Sequence, residues 1–231
     1  ALIVVTLPET VTVRSRRPLT LRLEVPAAEQ AVFWRVLVPS GALFSLFDGV
    51  ALSLIPVFLV RTLGVDNYAL VGAAGFLVLV SGALSQIALP RLRPDRAIGW
   101  GLAVASVASL GVVAAAPVES VGLALAAVAA TGAAAGLVFK GGLDLCTQIA
   151  PVQDRGKLLS ASYVACYLGG FSVPLLVIGA LSDLMGLTAA LAILSATAAL
   201  GAAWTWAVGL RSLSGLHAPE APAALPQPSA E

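Results

Sequence analysis

The chain has 231 residues, of which 59% are hydrophobic and 11% charged, and its mean hydropathy is +0.97. A soluble domain carries roughly 25% charged residues, so the composition excludes a water-soluble globule and points to lipid as the solvent. Thirteen basic and twelve acidic residues leave a net charge of +1, which excludes nucleic-acid recognition by bulk charge.

Residues 1–7, ALIVVTL, are apolar but too short to cross a bilayer, and they lack the basic leader of a signal peptide. They read as the end of a preceding transmembrane helix, with the processed terminus of a complete protein as the alternative. From Thr10 to Val25 the pattern has a period of two. Val11 and Val13, then Leu19, Leu21, Leu23 and Val25, alternate with polar residues around SRRP, which predicts a small hairpin. Ala27 to Trp34 reads as a short interfacial helix. Residues 1–36 are thus expected to be a helix end followed by a basic cytoplasmic linker.

Six long windows then lie between ionisable residues. Arg35 to Arg61 encloses 25 residues broken only by Asp48, Asp66 to Arg91 encloses 24, and Arg96 to Glu119 encloses 22. Glu119 to Lys140 encloses 20, Lys157 to Asp183 encloses 25, and Asp183 to Arg211 encloses 27. About 20 helical residues cross a core of about 30 Å, so each window can span. A barrel strand would need about 10 residues of strict alternation, whereas these windows are continuously apolar and rich in Ala and Gly. The expected fold class is therefore an all-α integral membrane protein with six transmembrane helices, near 37–60, 68–89, 98–117, 121–145, 158–182 and 187–210. The stretch 211–231, rich in Pro and Ala, is expected to be a disordered cytoplasmic tail.

Lys and Arg alternate between the loops. Twelve of the thirteen fall before the first span, in the second and fourth loops or in the tail, and only Arg61 lies on the other side. This asymmetry predicts that both ends are cytoplasmic. Trp34, Trp100, Trp204 and Trp206 all fall near the same predicted boundary, where amphipathic rings settle.

An ionisable group at mid-bilayer costs about 2.5 to 3.5 kcal/mol on insertion scales, which makes it a functional candidate. Asp48 is central in the first span, and on a helical wheel it shares a small polar stripe with Gly41, Ser45 and Ala51. A packed acid bonded to a neighbouring Ser or carbonyl is the other reading. In the fourth span Gly132, Gly136, Lys140 and Asp144 recur every four residues, a close-packing seam running into an ionisable pair. Phe139, Lys140 and Asp144 join Asp48 and Ser45 as candidate solute or proton contacts, although Lys140 and Asp144 could equally be a local boundary ion pair. Gly169, Gly170 and Pro174 could kink the fifth span. Cys146 and Cys166 match no metal, redox or disulfide spacing, and neither metal nor cofactor is expected.

The stub ending in Leu7-Pro8-Glu9-Thr10, the basic linker and the six spans together resemble the C-terminal half of a major facilitator superfamily transporter. The loop Pro151-Val152-Gln153-Asp154-Arg155-Gly156-Lys157 is similar to the loop before that family's eleventh helix. The resemblance implies half of a twelve-helix bundle made of three-plus-three inverted repeats, with the N-terminal six helices elsewhere on the same polypeptide. It also implies that the first and fourth spans line a central cavity. Arg91, Arg93, Arg96 and Arg155 would belong to cytoplasmic gating loops. The signature loop departs from the family pattern, because Gln86 stands where an acid is expected four residues after Gly82.

The leading functional reading is a secondary transporter of a small solute working by alternating access. With few hydrogen-bonding groups in the spans, it leans toward proton-coupled efflux, by antiport, of a hydrophobic, drug-like compound. The partners would be the solute, protons and the lipid bilayer, and not nucleic acid. Eleven Arg against two Lys, with abundant Ala and Gly, suggest a bacterial plasma membrane. Two alternatives are a complete six-helix structural or pore subunit and an intramembrane aspartyl hydrolase using Asp48 and Asp144. A serine hydrolase is excluded, since the sole histidine, His217, lies in the tail and no Gly-x-Ser-x-Gly occurs.

Overall fold

The computed structural model describes Val25, Ala27 and residues 29–211. The expected helix end over residues 1–7, the Leu7 to Thr10 motif, the alternating stretch up to Glu24 and the tail from residue 212 lie outside the described residues. Among the described residues six helices are long and apolar enough to cross a membrane: α1 Gln30–Arg61, α2 Tyr68–Ala88, α3 Pro94–Ala115, α4 Val121–Ile149, α5 Arg155–Met185 and α6 Leu187–Gly209. None of these residues is in a strand.

Two helix ends differ from the expectation for physical reasons. No separate interfacial helix forms before the first span; Gln30–Val32 runs unbroken into α1 through a π-helical turn, Phe33–Leu37. Nothing there breaks a helix, and Val32, Phe33, Val36 and Leu37 are buried in the core. Around the fourth loop, α4 continues to Ile149 and α5 begins at Arg155. Helix α4 runs on until Pro151 holds Ala150 extended, and Lys157 does not delay the start of α5 because it pairs with Asp154 at 2.8 Å.

The turns carry their own chemistry. Asn67 caps α2 by accepting from the Ala69 and Leu70 amides at 3.0 and 3.3 Å, and the Ser120 hydroxyl caps α4 by accepting from Leu123 at 3.2 Å. Between α5 and α6 the reversal needs φ +86° at Gly186, a region open to glycine.

Glycine seams set the helix order. Gly132 and Gly136 of α4 pack on Val78 to Ser85 of α2 so closely that a Cβ at either position would strike backbone, and the two helices run parallel. The same relation joins α1 and α5, where Gly170 lies on the Ala42 backbone and Gly41 on Cys166. Antiparallel pairs follow the same rule: Gly101 and Gly141 of α3 and α4 meet Val138 and Ile98, while Gly201 and Gly209 of α6 meet Leu43 and Arg35 of α1. Exchanging α1, α2, α3 for α4, α5, α6 thus maps each contact onto its counterpart, with α3 against α6 and α1 against α4 on the pseudo-symmetry axis. This is the arrangement of two inverted three-helix repeats, and small residues let the backbones approach where lipid offers no hydrophobic drive.

The N-terminus of α1, the N-terminus of α3 and the C-terminus of α6 share one end of the bundle. Gly209 lies on Arg35, and the rings of Trp100 and Trp206 meet edge-on at 6.4 Å. All four tryptophans are exposed there.

Candidate functional site

Asp48 stands near the middle of α1, half-buried, and lines a cavity of about 490 Å³ between α1, α4 and α5. Ser45 lies one turn before it on the same wall, and from α4 come Phe139, Val138 and Cys146. From α5 come Ser162, Tyr163, Cys166, Tyr167 and Phe171. The cavity runs from Leu52 to Leu37, toward the end of the bundle where α1 begins. Its volume is in the range of small-molecule sites, about 300 to 1,000 Å³.

The wall is mainly apolar and carries five aromatic rings. Phe44 and Phe139 bring their ring centroids to 5.4 Å across α1 and α4, Phe139 and Tyr163 lie 6.3 Å apart, and Tyr167 and Phe171 are 6.2 Å apart. Asp48 makes no hydrogen bond or ion pair with any described residue. The packed-acid reading, which needs a Ser or carbonyl partner, therefore finds none among the described residues. Ser53, five residues further along α1, donates to its own helix at the Gly49 carbonyl, 2.5 Å away.

Asp48 also lines a second space of about 230 Å³ between α1, α2 and α4, with Gly82, Ala83 and Gln86 on the α2 side. Phe44 and Phe139 line both spaces and divide them. The Gln86 amide donates back to the Gly82 carbonyl at 3.2 Å.

The other candidates lie elsewhere. Lys140 and Asp144 are not part of either wall. They form an ion pair within α4, and the Lys140 ammonium also lies 3.4 Å from the Leu92 carbonyl in the loop between α2 and α3. Of the arginines expected in gating loops, Arg93 pairs through two nitrogens with Asp95 in the first turn of α3, at 3.2 Å each, and Arg155 donates to the Ala150 carbonyl at 3.2 Å. Arg91 and Arg96 are exposed. Gly169 and Gly170 fall inside a π-helical turn, Tyr167–Ser172, and Pro174 follows one residue after it. The turn in α1, Phe33–Leu37, likewise precedes Pro39. A proline removes one amide donor from the helical ladder, and a widened turn just before it accommodates the loss. In α5 that turn carries Tyr167 and Phe171 into the cavity wall.

Sequence reasoning missed the α5 wall. Tyr163, Tyr167 and Phe171 recur every four residues, a legible signal, but nothing in a one-dimensional pattern says which face of an entirely apolar helix looks inward.

A bundle of six membrane helices with a solute-sized cavity between its central pair and a neighbour defines the class of helical membrane carriers. A family model described as Major Facilitator Superfamily matches residues 1–174, and the chain belongs to that superfamily. No curated protein matches the chain. Members of the superfamily are membrane transporters, so this chain is a multi-pass transporter of a solute across a lipid bilayer and not an enzyme. The hydrolase reading falls with that, and Asp144, paired with Lys140, lies apart from Asp48's cavity.

Proposed function

We propose that these six helices are the C-terminal half of a proton-coupled exporter of a hydrophobic, drug-like solute, seated in a bacterial plasma membrane with both ends cytoplasmic. The N-terminal half of the same polypeptide would close the open side of the cavity. The observation that carries this reading is Asp48: a carboxylate with no partner among the described residues, on the wall of an apolar cavity deep within a membrane helix. Such a group can take a proton in one conformation and release it when water reaches it from the other side. The mainly apolar lining, with its five rings, favours an apolar solute over a sugar, which would need many hydrogen-bonding groups.

Substitutions at Asp48 in the full-length transporter test the coupling. Asp48→Asn keeps the size and removes titration, so flux driven by a pH gradient is lost while expression is retained; Asp48→Glu keeps a titrating group and retains part of the flux. Normal gradient-driven flux in the Asn variant would overturn the proton role. The two-half reading has a separate test, since residues 1–231 reconstituted alone should insert but show no saturable flux.

A further inference from the structure

We propose that the groove between α3 and α6, at the end of the bundle where α1 begins, holds an anionic phospholipid. Its phosphate sits on Arg96, and its glycerol and upper acyl carbons lie against Trp100 and Trp206. Neither α3 nor α6 lines the larger cavity at Asp48, so the site rests on neither the solute nor the proton coupling proposed above.

The charge pattern at this end leaves arginines without acids. Asp95, Asp144 and Asp154 are taken by Arg93, Lys140 and Lys157, and Glu29 is buried. Arg35, Arg91 and Arg96 are exposed and make no ion pair or hydrogen bond with a described residue. The opposite end carries Asp66, Glu119 and Asp183 against Arg61. An anionic headgroup is therefore attracted to one end of the bundle and repelled from the other.

Among the three free arginines, Arg96 stands over a built surface. The rings of Trp100 and Trp206 meet edge-on at 6.4 Å, yet they remain 58% and 44% exposed. Arg96 lies four residues before Trp100 on the same exposed face of α3, about 6 Å nearer the end of the helix. An indole settles between acyl carbons and polar headgroup atoms, and a guanidinium takes a phosphate through two N–H groups. The order along the membrane normal, guanidinium and then indoles, is the order of phosphate and then glycerol in a phospholipid.

Below the ring pair the groove stays apolar and shallow. Helical spacing puts exposed Val104 and Val107 under Trp100, and the small Ala203 and Ala199 under Trp206, leaving a track for an acyl chain. Arg35 adds positive charge at the same level, since its backbone touches Gly209, one turn from Trp206. A zwitterionic phosphatidylcholine could cover the same rings, but its own ammonium offsets the attraction of these arginines. Because α3 and α6 belong to different three-helix repeats, a lipid lodged between them braces the bundle from outside.

The test uses the full-length protein in phosphatidylcholine nanodiscs containing a minor share of brominated phosphatidylglycerol or, in parallel, brominated phosphatidylcholine. Bromine quenches indole fluorescence on contact, and subtracting a Trp100→Phe, Trp206→Phe variant isolates the signal of the pair. Phosphatidylglycerol should be enriched at the pair about fivefold or more over phosphatidylcholine. Arg96→Gln should erase the enrichment, Arg96→Lys should keep part of it, and Arg91→Gln, which removes an equally free arginine off α3, should keep it. Arg96 is exposed, so its variants retain the fold and carry the test even if the tryptophan variant does not. Soluble glycerol phosphate, which has the headgroup chemistry without the chains, should not displace the lipid. Equal quenching by the two lipids would overturn the proposal, as would equal losses in Arg91→Gln and Arg96→Gln, which would reduce it to diffuse surface charge. Displacement by glycerol phosphate would make the groove a simple anion site and overturn the lipid assignment. None of these outcomes depends on flux, so this proposal and the transport reading fail separately.

Discussion

Phe44 of α1 and Phe139 of α4 meet at 5.4 Å between ring centroids, tilted by 36°, and divide the two spaces that share Asp48. The pair lies where the two inverted repeats cross, so one contact joins the repeats and shapes the solute wall.

Removing one ring separates these roles. Aromatic pairs contribute about 0.5 to 1.5 kcal/mol beyond area, so Phe139→Ala should weaken solute binding about three- to tenfold. Equilibrium binding of the transported solute measures this, with thermal unfolding in detergent reporting on the fold. An unchanged affinity would show that the rings do not contact the solute.

The seam between α2 and α4 is predicted not to tolerate added bulk. A Cβ at Gly136 would meet the Ser85 hydroxyl at 2.6 Å and the Gly82 backbone closer still. Gly136→Val should cost about 1 to 3 kcal/mol or more, or prevent folding. At Gly179 nothing lies within 4 Å of a new Cβ, and Gly179→Ala should be neutral or stabilise by up to about 1 kcal/mol. Thermal midpoints in one detergent compare the two directly; equal midpoints would refute the seam.

At Lys140 and Asp144 the expectation is a small effect. The Asp144 side chain is 41% exposed, and ion pairs of this kind contribute about 0 to 1 kcal/mol. Asp144→Asn should leave solute flux close to normal under the gradient that Asp48→Asn fails to use. A loss of flux comparable to that of Asp48→Asn would move the proton site to α4.

The structure also selects probes for orientation. Asn67 and Ser120 are helix caps and Gly186 has a positive φ, so single cysteines belong at exposed Asp66, Val118 and Met185 instead. In intact cells and a Cys-free background these three should react with an impermeant thiol reagent, while a cysteine at exposed Val152 should react only after lysis. Labelling of the Val152 site in intact cells would invert the membrane orientation drawn from the Lys and Arg distribution.

Much of the fold was legible in one dimension because lipid imposes a simple rule. Every backbone donor and acceptor must be satisfied within the segment, so a long apolar window is a helix whatever surrounds it. Cutting at charges placed the start of α5 at 158, three residues late, because Lys157 pairs with Asp154 and stays inside the helix. Lys140 likewise pairs with Asp144, four residues on, inside α4.

The sequence by itself determined the class, the number of membrane helices and the conspicuous Asp48, since hydropathy and the cost of a mid-bilayer charge are properties of residues taken one at a time. Only the tertiary structure decided what Asp48 faces. The seams at Gly132, Gly136 and Gly170 fix how α1, α4 and α5 rotate and approach. That rotation brings Phe139, Tyr163 and Tyr167 around the carboxylate and leaves Lys140 and Asp144 to each other. In helices that are apolar on every side, hydrophobicity cannot choose the inward face; close steric fit between backbones does.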